Sequence, residues 1–168
     1  MKRAYGFTIV ELLIAIVVIA ILAALSYVGY VNIANRANDA AVQSDLRSLL
    51  GLVQSHEVVH SSYPSLGSSS PSMPGGIKLA VNKQAYSDAN NLYYCVIPSG
   101  ENARFSVAGR SRSGNIFAYY NGSFQPYSGA FNTGNVICSN MGIPSAEAGY
   151  EYHYGRDASN NWAAWTNG

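Results

Sequence analysis

Leu12 to Asn35 reads LLIAIVVIAILAALSYVGYVNIAN, twenty-four residues without a charge. A helix of that length spans about 36 Å, more than the ~30 Å hydrocarbon core of a bilayer. Nothing later in the 168-residue chain approaches it, so the sequence holds one candidate membrane span. Its upstream flank carries Lys2 and Arg3, and positive charge there favours a cytoplasmic N-terminus with the rest of the chain exported. An ordinary secretory signal has an apolar core of roughly 7–15 residues and then a small-residue cleavage site. This run is longer, and the helical pattern continues past it.

Beyond Asn35 the pattern turns one-sided. Val42, Leu46, Leu49, Leu50 and Val53 recur at spacings that keep them on one helical face, and Arg36, Asp39, Asp45 and Arg47 are assigned to the wet side. The first proline is Pro64, so a single helix is predicted from about Thr8 to about Val59, roughly 78 Å long. Its first half requires lipid or other helices all round, and its second half a globular domain on one face. Composition agrees: 48% of residues are hydrophobic and 11% charged, against roughly 25% charged in a typical soluble chain. Ten Lys plus Arg against nine Asp plus Glu leave no bulk charge to draw nucleic acid or anionic lipid. A disordered, highly charged tail protein is excluded as well.

One acid stands at the head of the apolar run. Glu11 follows Thr8 by three positions, the capping-box spacing, and a helix N-terminus favours negative charge. Intramembrane acids cost about 2.5–3.5 kcal/mol at the bilayer centre and tend to be functional. The whole stretch Gly6-Phe7-Thr8-Ile9-Val10-Glu11-Leu12-Leu13, between a short basic leader and a long apolar helix, resembles the processing site of type IV prepilins. The likeness covers about Lys2 to Val28. It implies cutting between Gly6 and Phe7 by a membrane-bound prepilin peptidase, methylation of the new Phe7 amine, and pairing of Glu11 with that amine on a neighbouring subunit to set axial register. Ala20 and Val28 stand where many family members have glycine and proline, so any local loosening of the helix is expected near Ser26 to Gly29, where glycine weakens it.

After Val59 the character changes. Residues 60–76 are rich in Ser, Pro and Gly and read as a loop. Short β-prone runs follow at Ile77–Val81, Leu92–Ile97, Arg104–Ala108, Asn115–Tyr120, Ser123–Tyr127 and Tyr150–Tyr154, with Asn121-Gly122 as a type I′ hairpin signal. Residues alone give a small β-rich head on a helix; the resemblance implies an antiparallel sheet of about four strands packed on Val42–Val53. Cys95 and Cys138 are an even pair in the part expected to be exported, which reads as a disulfide; two buried free thiols are the competing arrangement. Ten tyrosines and both tryptophans lie beyond His60 among only eleven charges, a surface able to pack against neighbours with few desolvated charges. Trp162 and Trp165 are expected in the core, because an exposed aromatic pair is an aggregation liability.

Two further patterns carry candidate chemistry. His56-Glu57-Val58-Val59-His60 is a literal H-E-x-x-H, which on a helix places two imidazoles on one face beside a general base. A catalytic zinc needs a third protein ligand, and the next acid after His60 is Asp88, with Glu101 following; the motif also falls where the helix ends, where histidines complement the dipole. His56, Glu57 and His60 are therefore weak metal candidates and a membrane-anchored zinc protease a remote alternative. Arg104, Arg110 and Arg112 flank a turn at Gly109–Gly114 and form a candidate phosphate or DNA contact, although such arginines usually solvate a turn.

The expectation is an α+β protein: leader 1–6, membrane or filament-core helix 7–35, amphipathic continuation 36–59 and exported head 60–168. The resemblance implies a non-enzymatic, cofactor-free structural subunit of a type IV pilus-like filament, or alternatively a pseudopilin of a type II secretion or DNA-uptake apparatus. Partners would be copies of itself and other pilins, prepilin peptidase, the assembly machinery and membrane lipid before assembly. DNA or a host surface would be a partner only through features the residues do not specify. The subunit would be a single-pass cytoplasmic membrane protein first and part of a surface filament afterwards.

Overall fold

The computed structural model describes residues 7–65, 76–87, 90–156, 159 and 161–167. One unbroken helix, α1, runs from Ile9 to His60, within one residue of the span predicted at each end. Five strands follow: β1 (Leu92–Ile97), β2 (Arg104–Arg110), β3 (Ile116–Tyr120), β4 (Ser123–Pro126) and β5 (Glu151–Tyr154), with a short helix α2 (Gly134–Asn140) between the last two. The chain divides into two compact units, Met1–Arg36 and Ala37–Gly168.

In the first unit every described side chain from Phe7 to Ile33 is exposed, with Ile9 at 80%, Leu25 at 68% and Ile33 at 70%. The helix holds together through its own backbone ladder, and Ser26 adds a 2.8 Å bond from its hydroxyl to the Leu22 carbonyl. A surface this apolar has no stable existence in water.

The second unit is a two-sided sheet. Its strands are all antiparallel, in the order β4-β3-β2-β1-β5. Alternation sends Leu92, Tyr94, Val96 and Val107 to one face, where they bury with Val42, Leu46, Leu49 and Val53 of α1. Gly109 permits this approach: a Cβ there would sit 3.0 Å from the Val42 methyl. Tyr93, Cys95, Ile97, Ala108 and Ala118 take the opposite face and are covered by Phe131, Ile137, Cys138, Met141 and Ile143. The Cys95–Cys138 disulfide, with Cα atoms 5.6 Å apart, ties α2 to β1, and Gly134 lets the start of α2 lie against the Tyr152 ring. The β3–β4 turn has positive φ at both Asn121 (51°) and Gly122 (77°), as a type I′ turn requires.

The structure corrects four expectations. The sheet has five strands, not four. Ile77–Val81 is no strand: among the described residues its one bridge is Ala80 to Asn167, and the Leu79 N–H bonds the Trp165 carbonyl at 2.7 Å, so this run follows the C-terminal segment and not the sheet. Leu50 is half-buried and not part of the packed face. Asp45 leaves the wet side and is buried, because the 79–86 segment folds over that side of α1 and donates the Asn82 N–H to its carboxylate at 3.0 Å. Trp165 lies in the core, with its indole N–H 3.0 Å from the Tyr154 carbonyl. Trp162 is partly buried beside it, edge-on to Tyr86.

Candidate functional site

The N-terminus of α1 is closed by a reciprocal pair. Glu11 N–H donates to the Thr8 hydroxyl oxygen at 3.2 Å, while the Thr8 N–H and Thr8 hydroxyl both donate to Glu11 Oε2 at 2.8 Å. This capping box satisfies donors that the first helical turn leaves open. It fixes the carboxylate at the start of an apolar stretch of helix that is long enough to cross a membrane and has no buried residue. Phe7 precedes it, 89% exposed and outside the helix. Gly6 lies outside the described residues.

An exposed Phe7, an acid four residues on and a charge-free exposed run from Leu12 to Ile33 form one arrangement. Residues 1–27 match the family model described as the prokaryotic N-terminal methylation motif. The chain carries the type IV prepilin processing motif. No curated protein and no solved structure matches it. The motif, the long apolar helix and the five-stranded sheet together make a pilin-like α+β architecture of the pilin or pseudopilin type, and the first two fit membrane anchoring.

Cys95 and Cys138 are joined, 43 positions apart in sequence. The three arginines are not brought together. Arg104 opens β2 and Arg110 closes it, six residues or about 20 Å apart along a strand. Arg104 is engaged by Glu147 through both of its terminal nitrogens, one at 2.9 Å, and its Nε donates to the Gly142 carbonyl at 2.8 Å. That pairing raises the arginine's pKa and holds the Glu147 carboxyl below its ordinary value, the hydrogen bonds being the main cause. Arg110 donates to the Ser87 hydroxyl at 3.0 Å and lies over the Phe131 ring; Arg112 is exposed in the turn beyond.

His56 and His60 do come together, with ring centroids 4.1 Å apart. Among the described residues there is no group of three or more His, Cys, Asp or Glu side chains able to hold a metal, so the third ligand of a zincin is not supplied there.

The sequence did not single out the polar residues that organise the sheet–helix layer. Asp45, whose carboxyl pKa is pushed up by burial, faces Asn82 and the buried Tyr86. Glu151 and His153 are buried on the α1-facing side of β5; the imidazole stacks on Tyr94, and Glu151 accepts a bond from the Ser65 hydroxyl. The alternation Glu-Tyr-His-Tyr in β5 was the available signal, since tyrosines on one face force the two polar residues onto the other.

Proposed function

We propose that this chain is a structural subunit of a type IV pilus-like filament. A prepilin peptidase cuts between Gly6 and Phe7 and methylates the Phe7 amine. The 7–35 helix holds the subunit in the cytoplasmic membrane until the assembly machinery packs it with other copies into a filament exposed at the cell surface. Glu11 meets the Phe7 amine of a neighbour; both bonds that its carboxylate accepts from Thr8 fall on Oε2, which leaves Oε1 for that contact. An unpaired charge in an apolar fibre core is costly, so this pairing selects one axial register. A head-to-tail contact that does not close on itself yields a filament and not a ring.

The observation that carries the proposal is the methylation motif at 1–27 leading into a helix with no buried residue before Val42. The disulfide-bonded, charge-poor head favours a pilin over a pseudopilin. Intact-mass measurement of the protein from its native membrane tests the proposal. Loss of Met1–Gly6 with gain of one methyl group on Phe7 is expected, and a mature chain still beginning at Met1 would overturn it.

A further inference from the structure

The H-E-x-x-H segment is not absorbed by the filament role, and its geometry is specific. His56 and His60 stack with ring planes 20° apart and centroids 4.1 Å apart. Nδ1 of His56 lies 3.0 Å from the Ser62 carbonyl oxygen, and Nδ1 of His60 lies 3.1 Å from the His56 carbonyl oxygen. A carbonyl can only accept, so in each neutral ring the proton sits on Nδ1 and Nε2 keeps its lone pair. Metal-bound imidazoles are held this way, with the far ring N–H given to a carbonyl or carboxylate that fixes tautomer and orientation.

The acceptor for His56 is itself built in. Ser61, directly after α1, takes φ of +54°, and its N–H bonds the Glu57 carbonyl at 2.8 Å. A non-glycine residue in this region is strained, and here the left-handed turn brings the Ser62 carbonyl back toward the helix. The next residue is pinned to the sheet end: Tyr63 N–H bonds the Pro98 carbonyl at 2.9 Å, and its ring packs on Phe105.

We propose that His56 and His60 form a two-imidazole site for a divalent transition-metal ion, each ligating through Nε2. Two nitrogens at zinc distances of about 2.0–2.1 Å lie about 3.3 Å apart in a tetrahedral site; the lone pairs of the near-parallel rings do not converge as stacked, so binding turns the two rings out of their stack until both Nε2 lone pairs meet at one ion. Imidazole donors suit zinc, copper and nickel and not calcium or magnesium. The other coordination positions are open to water or to a donor outside the chain. Glu57 is adjacent in sequence but is not a ligand in this assignment, and the site binds metal without hydrolysing peptides.

Full-length, tag-free protein in detergent, titrated with Zn2+ by calorimetry and with Cu2+ by electron paramagnetic resonance, tests the site. One ion per chain and a copper spectrum with two imidazole nitrogens are expected. Outer-shell partners alone are worth about 10–100-fold in affinity, so His56→Ala or His60→Ala should weaken binding by at least about ten-fold, with Glu57→Gln unchanged. Absence of binding by the parent, binding that survives both histidine substitutions together, or an equal loss in Glu57→Gln would overturn the assignment. Should a histidine variant alter the helix end in circular dichroism, the parent's copper spectrum decides alone, and a spectrum without imidazole nitrogens refutes the site.

Discussion

Replacing Asp45 by alanine and by asparagine separates two roles that one carboxylate combines. The side chain is buried on α1, accepts the Asn82 N–H at 3.0 Å and faces the Tyr86 hydroxyl. Alanine removes the acceptor. A buried donor left without a partner costs about 1–3 kcal/mol; because Asn82 itself is exposed, water recovers part of this, and about 1–2 kcal/mol is expected. With a urea m-value of about 2 kcal/mol/M the midpoint falls by about 0.5–1 M. Asparagine keeps an acceptor oxygen and removes the charge. Burial raises the Asp45 pKa more than the Asn82 bond lowers it, so the fold prefers the protonated carboxyl. A carboxyl whose folded pKa lies above its unfolded one contributes most below the unfolded value and loses that contribution as pH rises through the folded value. Asp45→Asn should therefore be at least as stable as the parent at pH 7, and the parent should gain on it as pH falls toward the ordinary aspartate range of about 4. Urea unfolding of the full chain in detergent, followed by tryptophan fluorescence, measures this, because both tryptophans lie at the C-terminal end of the head. If Asp45→Asn loses as much as Asp45→Ala, or if the parent–asparagine difference has no pH trend, the argument from desolvation fails.

Asp39 has the opposite sign. Partial burial pulls its pKa up, but bonds from Ser113, Asn115 and Ser111 outweigh it and leave the pKa lowered. Its contribution is present above the unfolded carboxyl pKa and lost as pH falls through the folded one; Asp39→Ala should cost about 1 kcal/mol at pH 7 and progressively less as pH falls below the ordinary aspartate value of about 4, by the same unfolding assay. Removing the disulfide with Cys95→Ser and Cys138→Ser together should destabilise the head by about 4 kcal/mol, from the loop-closure entropy of 43 positions, read as a fall in thermal midpoint. Glu11→Ala should leave membrane insertion intact and lower filament yield, scored by membrane fractionation beside electron microscopy of sheared filaments. Normal yield from that variant would remove the register argument.

How legible each part was depends on how local its physics is. The helix from Thr8 onward, the strand Leu92–Ile97 and, two residues short of its observed end, the strand Arg104–Ala108 could be read from periodicity, because burial on one or two faces leaves a repeat in the chain itself. The capping box was visible as Thr8 and Glu11, since both partners lie in one turn. Ile77–Val81 misled because apolar content does not say whether a partner strand or a C-terminal segment covers it; Asn167 and Trp165 do so here. Asp45 was misassigned for the same reason. Helical spacing gives its angle on α1 but not the position of Asn82 and Tyr86, thirty-seven and forty-one residues away. Arg104 looked like part of a basic patch until Glu147, forty-three residues on, was found holding it.

The sequence alone determined that this chain begins with a processing motif and a helix unfit for water, because cleavage signals, caps and hydrophobic length are written in consecutive residues. It also supplied the two cysteines and the two histidines. Only the tertiary structure decided that the cysteines join α2 to β1 and that a left-handed turn at Ser61 gives His56 a carbonyl partner. It likewise decided which acids of the amphipathic half are buried. Those outcomes depend on groups brought together across tens of residues, and contacts of that kind leave no period in a sequence.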